Sequence, residues 1–288
     1  MKDNEYQLNP IDRKTRAIFH TGIMQERYQY HIEQSIKNTL FFDDKKLSRE
    51  WNRCMGLISN DFLSCEPYYQ FPTIEIVNMD TVTAIQHFYK PEFGKIAALN
   101  FASFKNPGGR FLDGSTAQEE ALCIDSYLFN VLNYFDNSYY EFNRHHLNRA
   151  LYLNRALYSP DIIFRDDCLC DIITCAAPNK KAAQKYCKVS NEENYQVMYD
   201  RVRFVLSIAD CNNVRTLILG AYGCGVFGQN PYEVAEIFKN ILKTTHWISN
   251  IKHIVFAIPN GMMDYNFIAF KETLSNIQSN PILFDHFF

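Results

Sequence analysis

The chain carries one stretch in which a glycine turn leads directly to two neighbouring carboxylates, Asn106-Pro107-Gly108-Gly109-Arg110-Phe111-Leu112-Asp113-Gly114-Ser115-Thr116-Ala117-Gln118-Glu119-Glu120. Upstream, the apolar run from Lys95 to Phe101 predicts a short buried strand. Downstream, the pattern from Ala117 to Phe135 predicts one amphipathic helix. Its apolar positions are Leu122, Tyr127, Leu128, Val131 and Leu132. The glycines therefore lie at a strand-loop-helix corner, where close backbone approach and unpaired helical N–H groups favour an anion.

The start of this helix fits two alternative capping boxes, Ser115 with Gln118 or Thr116 with Glu119. Either one places Glu119 and Glu120 in or just after the first turn. Consecutive helical residues point about 100° apart, so the two carboxylates are not expected to face one substrate atom symmetrically. An acid acting near neutral pH needs a pKa raised by burial, against the effect of the helix N-terminus. Alternatively, both are ordinary first-turn acids.

The segment from Leu99 to Ser103, taken with the stretch ending at Glu120, resembles the signature of the microbial-type poly(ADP-ribose) glycohydrolases, a macrodomain-related family. That signature has three glycines, six to eight further residues and then Gln-Glu-Glu. This chain has Gly108 and Gly109 in the first two positions and the complete acidic triplet. The third glycine is replaced by Arg110.

The replacement at Arg110 allows three interpretations. If the third glycine needs a positive φ, a side chain there is strained by about 1–2 kcal/mol. The guanidinium could instead form bidentate bonds to a diphosphate, which glycine cannot do. The third interpretation is a solvated arginine on a surface loop.

A second glycine loop lies between Val214 and Pro231 and resembles the second phosphate loop of the same family. Its pattern Gly223-x-Gly225-x-x-Gly228 also matches the dinucleotide fingerprint of a Rossmann unit. The next predicted strand, from His253 to Ile258, ends in Pro-Asn without an acid for a ribose hydroxyl, and one further helix follows. The topology therefore disfavours a Rossmann unit, and a phosphate cradle in front of the helix from Tyr232 to Leu242 is preferred.

Composition narrows the class of protein. The chain has 288 residues, 47% of them hydrophobic, a net charge of −3 and nine cysteines. No run reaches the roughly 18 apolar residues of a membrane span, and the polar start is not typical of a secretory signal. The charge does not favour binding of bare nucleic acid. An odd number of scattered cysteines favours a reducing compartment, so we expect a cytoplasmic protein.

From Thr73 onward, predicted strands alternate with predicted helices, which is typical of a sheet covered on both faces. These include strands from Thr73 to Asn78 and from Cys170 to Cys175. We expect an α/β, macrodomain-like mixed sheet flanked by helices over residues 69–288, with an N-terminal helical extension over residues 1–68 packed on it. The polar, aromatic-rich segment from Asp136 to Pro160 is expected to be a lid or surface insertion, and Lys180 to Lys188 a solvated helix start.

The resemblance implies hydrolysis of the O-glycosidic bond of ADP-ribose units. By this carry-over Glu120 protonates the leaving oxygen and then takes a proton from water, while Glu119 holds ribose hydroxyls. Asn106 and Gln118 are implied at the distal ribose. The other implied substrate contacts are Gly108, Gly109, Arg110, Gly223, Cys224, Gly225, Val226 and Phe227. The implied ligand is ADP-ribose or poly(ADP-ribose), free or attached to protein or nucleic acid, and no metal or cofactor is required.

Other functions remain open at this stage. One is an ADP-ribose-binding module that has lost turnover through Arg110. Another is a hydrolase of mono-ADP-ribosylated protein, nucleic acid or nucleotide. Cys224 could be a nucleophile but lacks a convincing base in the sequence, and Phe227 is compatible both with stacking on a ligand and with the core.

Overall fold

The computed structural model describes residues 10–49, 71–244, 250–260, 265–275 and 277. Within these ranges, one mixed sheet has the order β1-β4-β5-β3-β6-β7-β2. Its strands are β1 (Leu40–Asp43), β2 (Thr73–Val77), β3 (Ile96–Phe101), β4 (Arg155–Ile163), β5 (Leu169–Cys175), β6 (Thr216–Leu219) and β7 (His253–Ala257). Strands β5, β3, β6, β7 and β2 are parallel, whereas β4 pairs antiparallel with both β5 and β1.

Helices cover both faces of the sheet. They are α1 (Pro10–Arg27), α2 (Gln29–Asn38), α3 (Thr81–Phe88), α4 (Gln118–Ile124), α5 (Leu128–Tyr134), α6 (Glu141–His145), α7 (Lys180–Cys187), α8 (Asn191–Cys211), α9 (Pro231–Thr244) and α10 (Tyr265–Leu274). Buried residues of α1 to α5 form one core, and those of α8 to α10 form the other. Alternate residues of β3 serve the two cores, Ile96 and Ala98 on one face and Ala97 and Leu99 on the other.

The macrodomain-like α/β fold class is confirmed, and so are the expected strands that became β2, β3, β5, β6 and β7. The expected helices after the second glycine loop and in the basic run are α9 and α7. Each lies within two residues of its predicted bounds. Because short apolar runs bounded by Gly or Pro describe buried parallel strands well, this part of the chain was predictable from pattern alone.

The expected lid or surface insertion between Asp136 and Pro160 is wrong at both ends, whereas residues 145–149 in its middle are exposed. Its first part is a π-helix, Asp136–Tyr140, followed by α6, and Tyr140 and Asn143 in these elements are fully buried. Its last part belongs to β4, inside the sheet. The register shifts between Ser159 and Ile162, so Pro160 sits in an irregularity that needs no ladder hydrogen bond from its nitrogen.

The single helix expected from Ala117 to Phe135 is also wrong, because the structure divides it into α4 and α5. Ser126 lies at the break, where its backbone forms an isolated bridge with Phe164. Its hydroxyl donates to the Leu122 carbonyl at 2.7 Å and accepts from the Leu128 N–H at 3.0 Å. The side chain thus ends one helix and starts the next, while the five apolar positions named above are all fully buried.

The N-terminal segment contains the expected helices, α1 and α2, and also a strand that a purely helical extension does not include. Strand β1 pairs with residues 155–158 of β4. The predicted boundary near residue 68 lies outside the described residues. No helix in the described ranges is long and apolar enough to cross a membrane.

Candidate active site

The two glycine loops leave the same edge of the sheet. Strands β3 and β6 are parallel neighbours, so their carboxyl ends lie side by side. The first loop starts after Phe101 and the second after Leu219. The rings of Phe101 and Tyr222, one from each side, have centroids 5.6 Å apart. The topology therefore brings together two loops that are more than a hundred residues apart in sequence.

The two adjacent glycines of the first loop, Gly108 and Gly109, have different roles. Both have a φ of +64°. A Cβ at Gly108 would lie 2.7 Å from the Phe129 ring, so this residue packs against the core. A Cβ at Gly109 would lie 2.7 Å from Oε1 of Glu120 and 2.8 Å from Oε2 of Glu119. At Gly109 the first loop therefore approaches both carboxylates with backbone atoms alone, because a side chain there would collide with them.

The two carboxylates are buried and are held by the loop in front of them. Oε2 of Glu119 accepts from the Ser103 N–H at 2.7 Å, and its Oε1 accepts from Asn100 Nδ2 at 3.2 Å. Oε1 of Glu120 accepts from the Arg110 N–H at 2.8 Å. Among the described residues, Oε2 of Glu120 is a buried oxygen without a hydrogen-bond partner. One carboxylate oxygen of Glu120 therefore makes no hydrogen bond to any described protein group.

The expected capping boxes are wrong, since the cap residue of α4 is Ala117 and no side chain caps the helix. Glu119 does not reach back to the helix start, because it accepts hydrogen bonds from Ser103 and Asn100 on the preceding strand and loop. The placement of both acids in the first turn is confirmed. Tertiary contacts to the loop therefore replace the local contacts that a capping box would make.

Burial raises the pKa of the Glu119 carboxyl to about 8. Hydrogen bonds from Ser103 and Asn100 lower the pKa, and the charge of Glu120 raises it, but desolvation is the largest effect. A neutral Glu119 also needs an acceptor, and Oδ1 of Asn100 has no partner among the described residues. Rotation of the Asn100 amide would offer that oxygen to a protonated Glu119. Glu119 therefore retains its proton at neutral pH.

Gln118 connects the helix to the strand. Its Oε1 accepts from the Phe101 N–H at 2.8 Å, and its Nε2 donates to the Leu99 carbonyl at 2.8 Å and to the Thr81 hydroxyl at 3.1 Å. Asn106 is exposed, and its carbonyl accepts from the Gly109 N–H at 3.1 Å. Both residues shape the first loop through these contacts.

Arg110 has a φ of −112°, so this position does not need glycine and the side chain introduces no left-handed strain. Its side chain is 75% exposed, and Nε lies 3.1 Å from a carboxylate oxygen of Asp113. The backbone of Arg110 therefore holds Glu120, while its guanidinium lies at the surface.

Hydrogen bonds to buried groups hold the second loop in place. Gly223 and Gly228 have positive φ, and the Gln229 N–H donates to the Gly223 carbonyl at 3.1 Å. The buried Gln229 side chain donates to the Pro178 carbonyl at 2.8 Å and exchanges hydrogen bonds with Asn194. A Cβ on Gly225, in contrast, would meet no atom within 4 Å. The tip of the loop is thus open, and Val226 beside it is exposed.

An aromatic row joins the two loops. Phe104, three residues past β3, stacks on Tyr152 with ring centroids 4.4 Å apart, and Tyr152 meets Phe227 edge to face at 6.1 Å. Phe227 is partly buried. It packs against this aromatic cluster and also lines the cleft, so it belongs both to the core and to the candidate ligand site. Burial raises the pKa of the neighbouring Cys224 thiol to about 12, which opposes a role as a thiolate nucleophile.

A cleft of about 380 Å³ runs between these elements. Its walls include Asp80 and Thr81 before α3, Gln118 on α4, the tip of the second loop, and Ile258 and Pro259 after β7. This volume lies in the range of small-molecule sites. Of the sequence-predicted residues, Gln118, Gly223, Gly225, Val226 and Phe227 line this cleft. Glu120 lines an adjoining crevice that shares Thr116 and Ala121 with it.

Sequence reasoning missed several residues that build this site. Asn100 and Ser103, which hold Glu119, stand in the segment just before the glycines, so their position was the available clue. Tyr152 and the fully buried Asn143, which donates to the Phe104 carbonyl at 2.9 Å, come from the segment expected to be an insertion. Long-range contacts of this kind leave no local pattern in the sequence.

The family model described as microbial-type PARG, catalytic domain, matches residues 19–166, just over half of the chain. The chain belongs to this family. The matched range contains the first glycine loop and both carboxylates of α4. Among proteins with curated functions, none matches the sequence at a significant level.

Solved structures of PARG enzymes are similar along nearly the whole chain. The poly(ADP-ribose) glycohydrolase of Thermomonospora curvata bound to the inhibitor ADP-HPD is 28% identical, with a TM-score of 0.77, over 91% of this chain and 98% of that one. The Deinococcus radiodurans enzyme in complex with ADP-ribose is 30% identical, with a TM-score of 0.73, over 85% of this chain and 97% of that one. The second glycine loop therefore lies within a PARG fold, as the strand order indicates.

Proposed function

We propose that this member of the PARG family is a poly(ADP-ribose) glycohydrolase. One observation carries the proposal: two buried carboxylates meet the backbone of Gly109 next to a cleft whose other wall is a second glycine loop. This arrangement offers backbone to a diphosphate and acids to a sugar within one site. Relatives solved with ADP-ribose and with the inhibitor ADP-HPD support the same ligand class.

Glu120 is the acid and base in this proposal. It gives a proton to the oxygen that leaves the anomeric carbon, and the C–O bond breaks with its electron pair on that oxygen. The carboxylate then takes a proton from water as the water oxygen bonds to the anomeric carbon. The unpartnered Oε2 supports this role, since one oxygen is anchored by Arg110 while the other is buried and has no hydrogen-bond partner among the described residues.

Glu119 is proposed to bind ribose hydroxyls and to hold the proton that acid catalysis needs. Its raised pKa supports a site that carries one proton when two carboxyls are present. A neutral carboxyl both donates and accepts, so it suits a pair of ribose hydroxyls. In this proposal Glu119 passes its proton to Glu120 when substrate binds.

The second loop is proposed to bind the diphosphate. The open space at Gly225 supports direct contact between its backbone and phosphate oxygens, and Phe227 offers a ring edge or face to the distal ribose. We propose that seven further residues contact this ligand or support those contacts. They are Asn106, Gly108, Gly109, Gln118, Gly223, Cys224 and Val226. Arg110 is proposed to contribute through its backbone N–H.

We propose further that residues 69–288 form the catalytic unit, with residues 1–68 packed on it, and that the protein works in the cytoplasm. The pairing of β1 with β4 supports close packing of the N-terminal segment. The scatter of an odd number of cysteines along the chain supports a reducing compartment.

The test uses labelled poly(ADP-ribose) and a mono-ADP-ribosylated serine peptide with wild-type protein and Glu120→Gln. We expect wild-type protein to release ADP-ribose from the polymer and Glu120→Gln to lower kcat by about 10²–10⁴-fold. ADP-ribose binding should persist, because the amide oxygen can still accept from Arg110. Glu92→Gln, an exposed site before β3, is the matched control and should keep full activity.

Three outcomes would overturn the proposal. Binding of ADP-ribose without release by wild-type protein would favour the binding-module alternative. Full activity of Glu120→Gln would remove Glu120 from the mechanism. Release from the peptide alone would assign the chain to mono-ADP-ribose hydrolysis instead.

A further inference from the structure

One tyrosine hydroxyl is buried in the core without a hydrogen-bond partner. Tyr140 is fully buried, and its hydroxyl makes no hydrogen bond within the described ranges. Most buried polar groups in proteins are paired, because an unpaired one is destabilising. Phenylalanine would fill the same space without that penalty. Packing alone therefore does not explain why a tyrosine stands at this position.

The segment that carries Tyr140 is fastened to the loop that holds Glu119. Tyr140 ends the π-helix, and α6 follows directly. On α6, Asn143 donates to the Phe104 carbonyl at 2.9 Å. Arg144, also on α6, donates to the carbonyl of the next loop residue at 3.0 Å. Phe104 directly follows the residue whose N–H binds Glu119, so the π-helix packs close behind the acids.

Among the charged neighbours of this hydroxyl, Glu119 has the largest effect. Burial raises the pKa of Tyr140 well above its usual value, and the charge of Glu119 is the next cause, ahead of the adjacent Tyr139. Such an effect requires the two groups to lie close together in the interior. Because its pKa is raised, Tyr140 keeps its own proton at ordinary pH. It is therefore equipped to donate a hydrogen bond and not to supply a proton.

The other titratable groups around the hydroxyl keep their charge state between about pH 6 and 9. They are Cys123, Asp136 and Tyr139. Burial raises the pKa of both Cys123 and Tyr139, so these two side chains stay neutral. Asp136 forms an ion pair with Arg144 at 2.8 Å. Glu119 is thus the neighbour whose charge changes in this range.

We infer that Tyr140 donates a hydrogen bond to Glu119 once Glu119 has passed its proton to Glu120. The inference rests on the proposed function. In this step the proton leaves an oxygen of Glu119 and bonds to an oxygen of Glu120. A buried carboxylate then remains, held by the Ser103 N–H and the Asn100 amide, and a further donor favours its ionised form. Because Tyr140 and Glu119 are not hydrogen-bonded in this structure, a side-chain shift accompanies the transfer.

Tyr140 is therefore a positioning residue for the proton, and its effect depends on pH. Below about pH 8 Glu119 starts protonated and must lose its proton to reach the reacting state, so the donor accelerates the reaction. Above about pH 8 Glu119 is ionised both before and during the reaction, so the donor favours both states equally. The contribution of the hydroxyl thus disappears at high pH, whereas a packing contribution would persist.

The test compares wild-type protein with Tyr140→Phe in steady-state cleavage of labelled poly(ADP-ribose) between pH 6 and 10. We expect kcat of the variant to be about tenfold lower at pH 6, from the loss of one hydrogen bond to a charged group. The alkaline limb should move up by about one pH unit, so that the two rates converge near pH 10. The melting temperature at pH 6 should stay the same or rise, because the variant removes an unpaired buried hydroxyl.

Tyr139→Phe is the matched control from the same π-helix. The Tyr139 hydroxyl donates to the Arg155 carbonyl at 3.0 Å, so it already has a partner away from the acids. Its removal leaves that carbonyl without this donor and should lower the melting temperature. The pH dependence of kcat should stay that of wild-type protein.

Three results would overturn the inference. The first is a rate of Tyr140→Phe that is lowered by the same factor from pH 6 to 10, since lost packing would explain it. The second is a rate equal to that of wild-type protein throughout. The third is an alkaline limb that moves to lower pH, which would show that the hydroxyl favours the protonated form of Glu119.

Failure of the proposed function would be recognised separately. If wild-type protein releases no ADP-ribose, carbon-13 NMR of glutamate-labelled protein titrates the Glu119 carboxyl without turnover, and Glu119→Gln assigns its signal. A pKa of Glu119 that is higher by about one unit in Tyr140→Phe would support the hydrogen bond. Identical titrations in the two proteins would overturn it.

Discussion

Gly109 lies so close to Glu120 that a methyl group added at Gly109 would be 2.7 Å from the carboxylate oxygen Oε1. The same methyl group would be 2.8 Å from Oε2 of Glu119. The φ of +64° at Gly109 adds left-handed strain for any other residue. Glycine is therefore required here by two separate effects, and the two acids cannot keep their positions without it.

We predict that Gly109→Ala lowers kcat at least a hundredfold, because both carboxylates must move. Gly225→Ala is the comparison, since its Cβ meets nothing within 4 Å in the ligand-free protein. That variant should keep the wild-type melting temperature yet bind ADP-ribose more weakly, as its methyl group enters the cleft. Calorimetric titration and thermal melts separate the two effects. Unaltered kcat in Gly109→Ala would refute the proposed site.

The pH dependence of turnover follows from the raised pKa of Glu119. Below about pH 8 the Glu119 carboxyl holds a proton, and above about pH 8 it loses that proton. Acid catalysis needs the proton, so kcat should fall about tenfold per pH unit above pH 8. Steady-state assays between pH 6 and 10, with circular dichroism at each pH, measure this. A rate that rises across that window would contradict the assignment.

Folding stability should also depend on the protonation of the Glu119 carboxyl. Between pH 4.5 and about 8 the folded protein holds a proton on Glu119 that the unfolded chain has lost. The unfolded state binds fewer protons, so stability falls as pH rises through this window. Glu119→Gln removes the titration. Its melting temperature relative to wild type should therefore increase from pH 5 to 8 and then level off.

Arg110→Gly restores the third glycine of the family signature. The φ of Arg110 is already negative and its side chain is exposed, so we expect kcat to change less than twofold. Stability should fall by about 0.5–1 kcal/mol, because glycine has more freedom in the unfolded chain. A rise in kcat of more than tenfold would instead show that the arginine suppresses turnover, as the binding-module alternative requires.

Arg201 is predicted to be the side chain of α8 whose loss destabilises the protein most. It is fully buried and donates to neutral oxygens, namely Asn154 Oδ1 at 2.6 Å and the carbonyls of Ala176, Leu151 and Tyr152. Arg201→Met leaves these acceptors unsatisfied and should lower the free energy of unfolding by on the order of 3 kcal/mol. Arg203→Met, exposed on the same helix, should change it little. Urea denaturation compares them.

The sequence predicted the parallel core because each of its strands is a short apolar run before a glycine, proline or asparagine turn. The sequence pattern did not predict β4, and the reason is physical. Pro160 and Asp161 interrupt the apolar pattern, and the structure accommodates them with an irregular register and a φ of +56° at Asp161. A partner strand supplies the order there, and no local pattern reveals the partner.

The site was predictable to a similar extent. The glycine loops and the acidic pair were visible as motifs, because backbone freedom and charge belong to single residues. The supports of Glu119, by contrast, are a strand side chain and a loop N–H, Asn100 and Ser103, whose roles depend on how the chain returns on itself. The capping boxes failed for the same reason, as tertiary hydrogen bonds outcompeted local ones.

Strand β1 determines how far the N-terminal segment can be shortened. A protein starting at residue 69 would lack β1, and the outer edge of β4 would then present unpaired backbone groups over residues 155–158. Such an open edge recruits strands from other molecules and promotes aggregation. Soluble expression of the enzyme thus depends on a four-residue segment that is remote from its chemistry.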